Sequence, residues 1–134
     1  MTATLVDSNV LIDVIARDPR WEEWSSEAMI EALEDGALFV NPVVYAEVSV
    51  GFPTAEECEW ALSSQGIEQM PLPWPAAFLA GKAFASYRRH GGSKRSPLPD
   101  FFIGAHAAVA GLRLLTRDPK RYRTYFPTVE LIAP

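Results

Sequence analysis

The stretch Thr4-Leu5-Val6-Asp7-Ser8-Asn9-Val10-Leu11 decides the architecture of this chain. Thr4-Leu5-Val6 is a short apolar run without alternation, as a strand covered on both faces requires. It stops at Asp7-Ser8-Asn9, residue types that favour turns and helix N-caps. Val10, Leu11, Val14 and Ile15 then recur at helical spacing until Asp18-Pro19 breaks the run. A buried strand passing straight into a helix opens a βα unit, and the remaining sequence repeats the pattern. Residues 20–35 predict a second helix with Trp21, Trp24, Ala28 and Leu33 inward, closed by Gly36. Leu38-Phe39-Val40 is a second strand. Pro42 opens a helix with Val44, Val48 and Phe52 along one side, and Thr54-Ala55-Glu56-Glu57 caps another that runs to about Ser64. Ile67 to Leu72 predicts a third strand, and Trp74 to His90 a long helix stopped by Gly91-Gly92. After a basic, proline-punctuated loop from Ser93 to Pro99, an apolar helix runs from Asp100 to Ala110. Leu112 to Thr116 is a fourth strand, Asp118-Pro119 starts a helical turn, and Val129 to Ile132 is the last strand. This alternation predicts an α/β fold: a three-layer α/β/α domain with a central parallel sheet, spanning residues 1–134 as one unit.

Composition narrows the class. The chain has 134 residues, 49% of them hydrophobic, which suits one globular core. No run of about 18 apolar residues exists that would span a bilayer, and the first residues lack the basic flank and long apolar core of a signal peptide. Cys58 is alone, so neither a disulfide framework nor a cysteine metal site is expected, and a cytoplasmic location without membrane attachment follows. The net charge of −5 hides an asymmetry: residues 1–67 carry −11 and residues 68–134 carry +6. Ten of the twelve bases fall between Lys82 and Arg123, a basic field of the kind that attracts a polyanion.

Four acids, Asp7, Glu47, Asp100 and Asp118, stand at or near element ends. A parallel sheet gathers the carboxyl ends of its strands in one crevice, so acids spread along the chain can converge. Crowded carboxylates repel, and captured protons or a divalent cation relieve the repulsion. A cluster of oxygen donors with no lysine or arginine built into it points to Mg²⁺ or Mn²⁺. Each acid also has a purely structural reading: Asp7 and Asp100 as N-caps, Glu47 as a solvated helix residue, Asp118 as part of an Asp-Pro turn. Their joint placement on one sheet is what carries the functional reading. Other chemistry lacks support. Ser8 has no paired histidine, His106 lies mid-helix among alanines, His90 suits a helix C-terminus, and no glycine-rich phosphate loop exists. A haloacid-dehalogenase-like site needs a second aspartate two residues after the first, where Asn9 stands, and a receiver domain needs a lysine near a late strand, where only arginines occur.

Leu5-Val6-Asp7-Ser8-Asn9-Val10-Leu11 resembles the opening of PIN domains. Tyr45-Ala46-Glu47 resembles their second acidic motif, Leu98-Pro99-Asp100-Phe101-Phe102-Ile103-Gly104-Ala105-His106 their third and Leu115-Thr116-Arg117-Asp118 their fourth. The small size and the stretch from Tyr87 to His106 are similar to VapC-type toxins of type II toxin–antitoxin pairs. The resemblance implies a Mg²⁺- or Mn²⁺-dependent endoribonuclease using one or two ions. Asp7, Glu47, Asp100 and Asp118 would then be the catalytic and metal-binding quartet, with Asn9 and Thr116 as polar support. It implies in-line attack of a metal-activated water on a phosphodiester, leaving a 5′-phosphate and a 3′-hydroxyl. Lys94, Arg95, Arg117, Arg88 and Arg89 would hold RNA phosphates. It also implies a homodimer and a cognate VapB-type antitoxin that blocks the site. Two other roles are consistent with the same motifs: a PIN nuclease of RNA processing or decay, and a PIN-like RNA-binding protein without catalysis.

Overall fold

The computed structural model describes residues 2–92 and 98–134; Lys94 and Arg95 lie outside the described residues. The elements are β1 (Thr4–Val6), α1 (Ser8–Ile15), α2 (Glu22–Asp35), β2 (Leu38–Val40), α3 (Pro42–Ser49), α4 (Ala55–Ser64), β3 (Ile67–Gln69), α5 (Trp74–Arg89), α6 (Leu98–Ala110), β4 (Arg113–Leu115), α7 (Lys120–Tyr125) and β5 (Leu131–Ile132). All strand pairs are parallel, in the order β3-β2-β1-β4-β5. The connections out of β1 and β2 step toward one edge, whereas those out of β3 and β4 step toward the other. Right-handed crossovers therefore place them on opposite faces, giving the expected α/β/α layering. The sequence order reverses between β1 and β4, which makes that gap the switch point where open α/β sheets form their crevice. Val6 pairs with Leu115, and the Asp7 amide donates to the Leu115 carbonyl at 2.9 Å, so Asp7 and Thr116 leave the sheet side by side.

Local chemistry sets the helix ends. Asp7, Asn41 and Thr54 cap α1, α3 and α4, each accepting a backbone amide of the first turn, and Pro42 begins α3 where its missing N–H costs nothing. Gly91 takes φ +87° after α5, and the Gly92 amide closes the end on the Tyr87 carbonyl at 2.9 Å. Leu5, Val6, Leu38, Val40, Leu114 and Leu115 are buried along the strands. On the side of α5 and α6, Phe101 sits among Phe84, Tyr87, Tyr125 and Phe126 with ring centroids 5.2 to 6.1 Å away, tilted or edge-on. This cluster locks α5, α6 and α7 together directly behind Asp100.

Several boundaries differ from the sequence reading, each for a tertiary reason. β3 ends at Gln69 rather than Leu72, and β5 starts at Leu131 rather than Val129. Their partners β2 and β4 are only three residues long, so no ladder exists beyond them. Helix α6 starts at Leu98, which places Asp100 inside its first turn instead of at the cap. Leu33, expected inward on α2, is 44% exposed, while Ser25, Ala28, Met29 and Ala32 form the buried face.

Gly104 marks the tightest packing of α6. A Cβ there would lie 2.3 Å from the ring of Phe126, itself only 3% exposed. Gly104→Ala is expected to destabilise the chain by about 1–3 kcal/mol, because the gain in helix propensity is smaller than the cost of overpacking a buried ring. Urea denaturation of the purified variant, with an unchanged m-value, measures it.

Candidate active site

Asp7 is the most buried of the four acids, 3% exposed, and its carboxylate is held from several sides. Oδ1 accepts the Ser8 amide at 2.8 Å; Oδ2 accepts the Thr116 hydroxyl at 2.8 Å and the Tyr122 hydroxyl at 2.9 Å. Burial nevertheless pushes its pKa up to about 6, more than the donors lower it, with the charge of Asp100 adding to the rise. Glu47 reaches the same place from α3, which touches both α1 and α6. It accepts the Ser8 hydroxyl at 2.9 Å, and its pKa is raised by burial and, to a lesser degree, by Asp100. Asp100 is also raised by burial and by Asp118, against the lowering effect of Arg121, whose Nη1 lies 2.7 Å from its Oδ2. Asp118 is outermost, its side chain 74% exposed.

Asn9 ties the ends of β1 and β4 together. Its amide nitrogen is 3.3 Å from both Thr116 Oγ1 and Asp118 Oδ2, and its oxygen accepts the Arg117 amide at 3.3 Å. Thr116 is fully buried, donates to Asp7 and accepts the Asp118 amide at 3.1 Å. All four sequence-selected acids thus face one mouth at the switch point, with Asn9 and Thr116 linking them. Tyr122 and Arg121 escaped the sequence reading. Each grips one of the acids from α7, but nothing in Lys120-Arg121-Tyr122-Arg123 marks which side chains turn inward.

The donor set suits a hard divalent cation: oxygen ligands only, at one site, with three of the acids resisting ionisation because they are buried near one another. As the side chains stand, no group of three His, Cys, Asp or Glu among the described residues is closed around one point. The acids turn instead to Tyr122, Ser8 and Arg121. The expectation of a cluster with no arginine built into it is corrected here, because Arg121 occupies Asp100.

The basic candidates separate. Arg88 and Arg89 are exposed in the last turn of α5, where cations complement the helix dipole. Arg117 is not a free cation. Its guanidinium forks onto Asp13 at 2.8 and 3.1 Å, its face lies 5.5 Å from the Trp21 ring, and Asp13 is 2% exposed and also accepts the Ser25 hydroxyl. His106 is buried, its Nδ1 3.1 Å from the Asn41 amide nitrogen, so it connects α6 to the cap of α3 rather than reaching the acids.

Two outcomes follow from these environments. Asp7 binds its proton more tightly folded than unfolded, so its contribution favours folding below pH 3.8 and is lost as pH rises through about 6. In chelator, Asp7→Asn is therefore expected to raise stability at pH 7, by up to about 3 kcal/mol, and to flatten the decline between pH 4 and 6; thermal melts across that range measure both. Arg117→Ala strands the buried Asp13 carboxylate and is expected to lower stability by about 3 kcal/mol, largely recovered by Asp13→Asn in the same chain. Chemical denaturation of the two single variants and the double variant checks the coupling.

Residues 4–127 match the PIN domain family. The chain is 33% identical over 131 residues to Ribonuclease VapC10 of Mycobacterium tuberculosis, covering 97% of this chain and 90% of that protein. It also superposes on a chain of VapBC2 from Rickettsia felis bound to a DNA fragment from their promoter (TM-score 0.72, 17% identity, 98% of each chain). A chain of VapBC-1 from nontypeable Haemophilus influenzae gives a TM-score of 0.73 at 16% identity, again over 98% of each. With its motifs, its sheet order and its acids at the switch point, the chain belongs to the PIN-domain family and is a homologue of the VapC ribonucleases.

Proposed function

We propose that residues 1–134 act as one nuclease domain, a divalent-metal-dependent endoribonuclease that is the toxin of a VapBC-type pair. The observation that carries this reading is the convergence of Asp7, Glu47, Asp100 and Asp118 on one mouth of the sheet, three of them with raised pKa values. The relative named Ribonuclease VapC10 supports RNA as substrate, and the VapBC structures support a VapB-type antitoxin as partner. A homodimer and a cytoplasmic location complete the proposal; no described helix is long and apolar enough to cross a membrane.

Asp7, Glu47, Asp100 and Asp118 would hold one or two Mg²⁺ or Mn²⁺ ions. Bound there, a divalent cation supplies positive charge that lowers the pKa of a water and stabilises the leaving 3′ oxygen. The protein's own groups prepare the place. Thr116 and Tyr122 occupy Asp7 Oδ2 and fix its rotamer, Ser8 aims Glu47, and Asn9 bridges Thr116 and Asp118. Tyr122 stays protonated, because burial and the charges of Asp7 and Asp100 push its pKa well above the usual phenol value, so it acts as a donor. Arg88, Arg89, Lys94 and Arg95 are assigned to RNA phosphates. Arg117 keeps its fork on Asp13 and acts on RNA only as a fixed positive charge beside Asp118, 3.9 Å away.

Antitoxin-free protein incubated with total cellular RNA and Mg²⁺ or Mn²⁺ is expected to make discrete cuts with 5′-phosphate ends. Chelator should abolish them, and Asp100→Asn should slow them at least about a hundredfold, equivalent to about 2.7 kcal/mol of transition-state stabilisation. Mapping of new 5′ ends reads the result. Cuts that survive both chelator and Asp100→Asn would sink the metal-nuclease reading, and RNA binding without metal-dependent cuts would replace it with a non-catalytic role.

A further inference from the structure

Two arginines of the fourth-motif region pair with acids, and their pairings differ in kind. Arg117 makes a fork to an almost completely buried Asp13 under the Trp21 ring. Arg121 makes one described contact, from Nη1 to Asp100 Oδ2 at 2.7 Å, and the pair stays open to water, the side chains 36% and 31% exposed. The first is a structural clamp. The second has the properties of a temporary partner: partly hydrated on both sides, anchored through one of five guanidinium donors, and close to an aromatic face, with its carbon 5.8 Å from the Tyr87 ring centroid.

Asp100 is also a proposed ligand for the divalent cation, and a dication and a guanidinium compete for the same carboxylate. Resting on the nuclease reading, we propose that Arg121 is an exchangeable cation and an RNA-binding residue: it neutralises Asp100 in the metal-free chain and passes to a phosphate of the bound RNA when the cation takes Asp100. Charge and geometry favour the transfer. A dication attracts the carboxylate more strongly than a single charge does, and the displaced guanidinium then lies beside a more positive site. A phosphodiester offers two non-bridging oxygens that match the Arg fork. The Tyr87 face can hold the guanidinium at the mouth during the swap. Tyr122, the next residue, stays hydrogen-bonded to Asp7, so α7 keeps its place while one side chain changes partner.

Exchange predicts effects of opposite sign on two ligands. Isothermal titration of Mn²⁺ alone into the antitoxin-free chain, and steady-state cleavage of an RNA containing a mapped cut site, are compared for wild type, Arg121→Ala, Arg121→Lys and Arg123→Ala. Arg123 is exposed on the same helix and removes the same charge without touching the acids' partner. Arg121→Ala is expected to bind Mn²⁺ about three- to tenfold more tightly while its KM for RNA rises about tenfold, as removal of a competitor and of a charge-assisted contact requires. Arg121→Lys keeps a cation for Asp100 but loses the fork, so Mn²⁺ affinity stays near wild type and KM still rises. Arg123→Ala is expected to show at most a small fraction of either change. Unchanged or weaker Mn²⁺ binding by Arg121→Ala, an unchanged KM, or an equal effect from Arg123→Ala overturns the exchange and leaves the nuclease reading standing. Wild-type protein that binds no Mn²⁺ overturns both.

Discussion

A carboxylate taken out of water needs donors, and in this fold Asp7 draws them from the next residue and from two distant parts of the chain. The Ser8 amide comes from the start of α1, the Thr116 hydroxyl from the end of β4 and the Tyr122 hydroxyl from α7. Meeting that requirement fixes the β1–β4 seam, the turn after β4 and the docking of α7 at once. The donors do not fully compensate: the carboxyl is still pushed up to about 6 by burial and the neighbouring charge of Asp100. A group kept where its ionised form is disfavoured holds its charge at some expense of stability, which is what singles Asp7 out as a candidate for chemistry.

The charge asymmetry of the chain has a structural side that a count cannot show. Arg113 reaches Asp35 at 3.2 Å and Arg117 reaches Asp13 at 2.8 Å, so two bases of the positive half clip onto acids of the negative half. Both clips hold β4 and the turn after it against α1 and α2, the frame on which Thr116 and Asp118 are carried. Bases that are solvent-facing, such as Arg88 and Arg89, are left to shape the outer field. The basic segment therefore divides between fastening the fold and facing solvent.

The element order, the parallel sheet and most helix starts were legible because they rest on local rules. An unbroken apolar run, an N-cap oxygen, a proline at the first helical position and a glycine stop each act within one turn of chain. Boundaries that failed were those set by a neighbour. β3 and β5 end where their short partners end, and Leu33 turns outward because Ala28, Met29 and Ala32 already fill the inner face of α2. Asp100 lies in the first turn of α6 instead of at its cap, because the helix begins earlier, at Leu98, and it still stands at the mouth.

The sequence by itself determined which residues are the candidates for chemistry: four acids at or near the ends of elements, with Asn9 and Thr116 beside two of them. For Asp7 and Asp118 the position is fixed by chain direction, since a parallel sheet sends every strand's carboxyl end to the same side, whereas Glu47 and Asp100 are brought there by α3 and α6. Only the tertiary structure decided what each carboxylate touches. Tyr122 on Asp7, Arg121 on Asp100, Ser8 on Glu47 and Arg117 on Asp13 join residues 21 to 115 positions apart, and no local pattern encodes them. The reason is physical: burial and pairing energies depend on which surfaces meet after packing, and for α7 that was settled by the aromatic cluster around Phe101 that seats it behind the site.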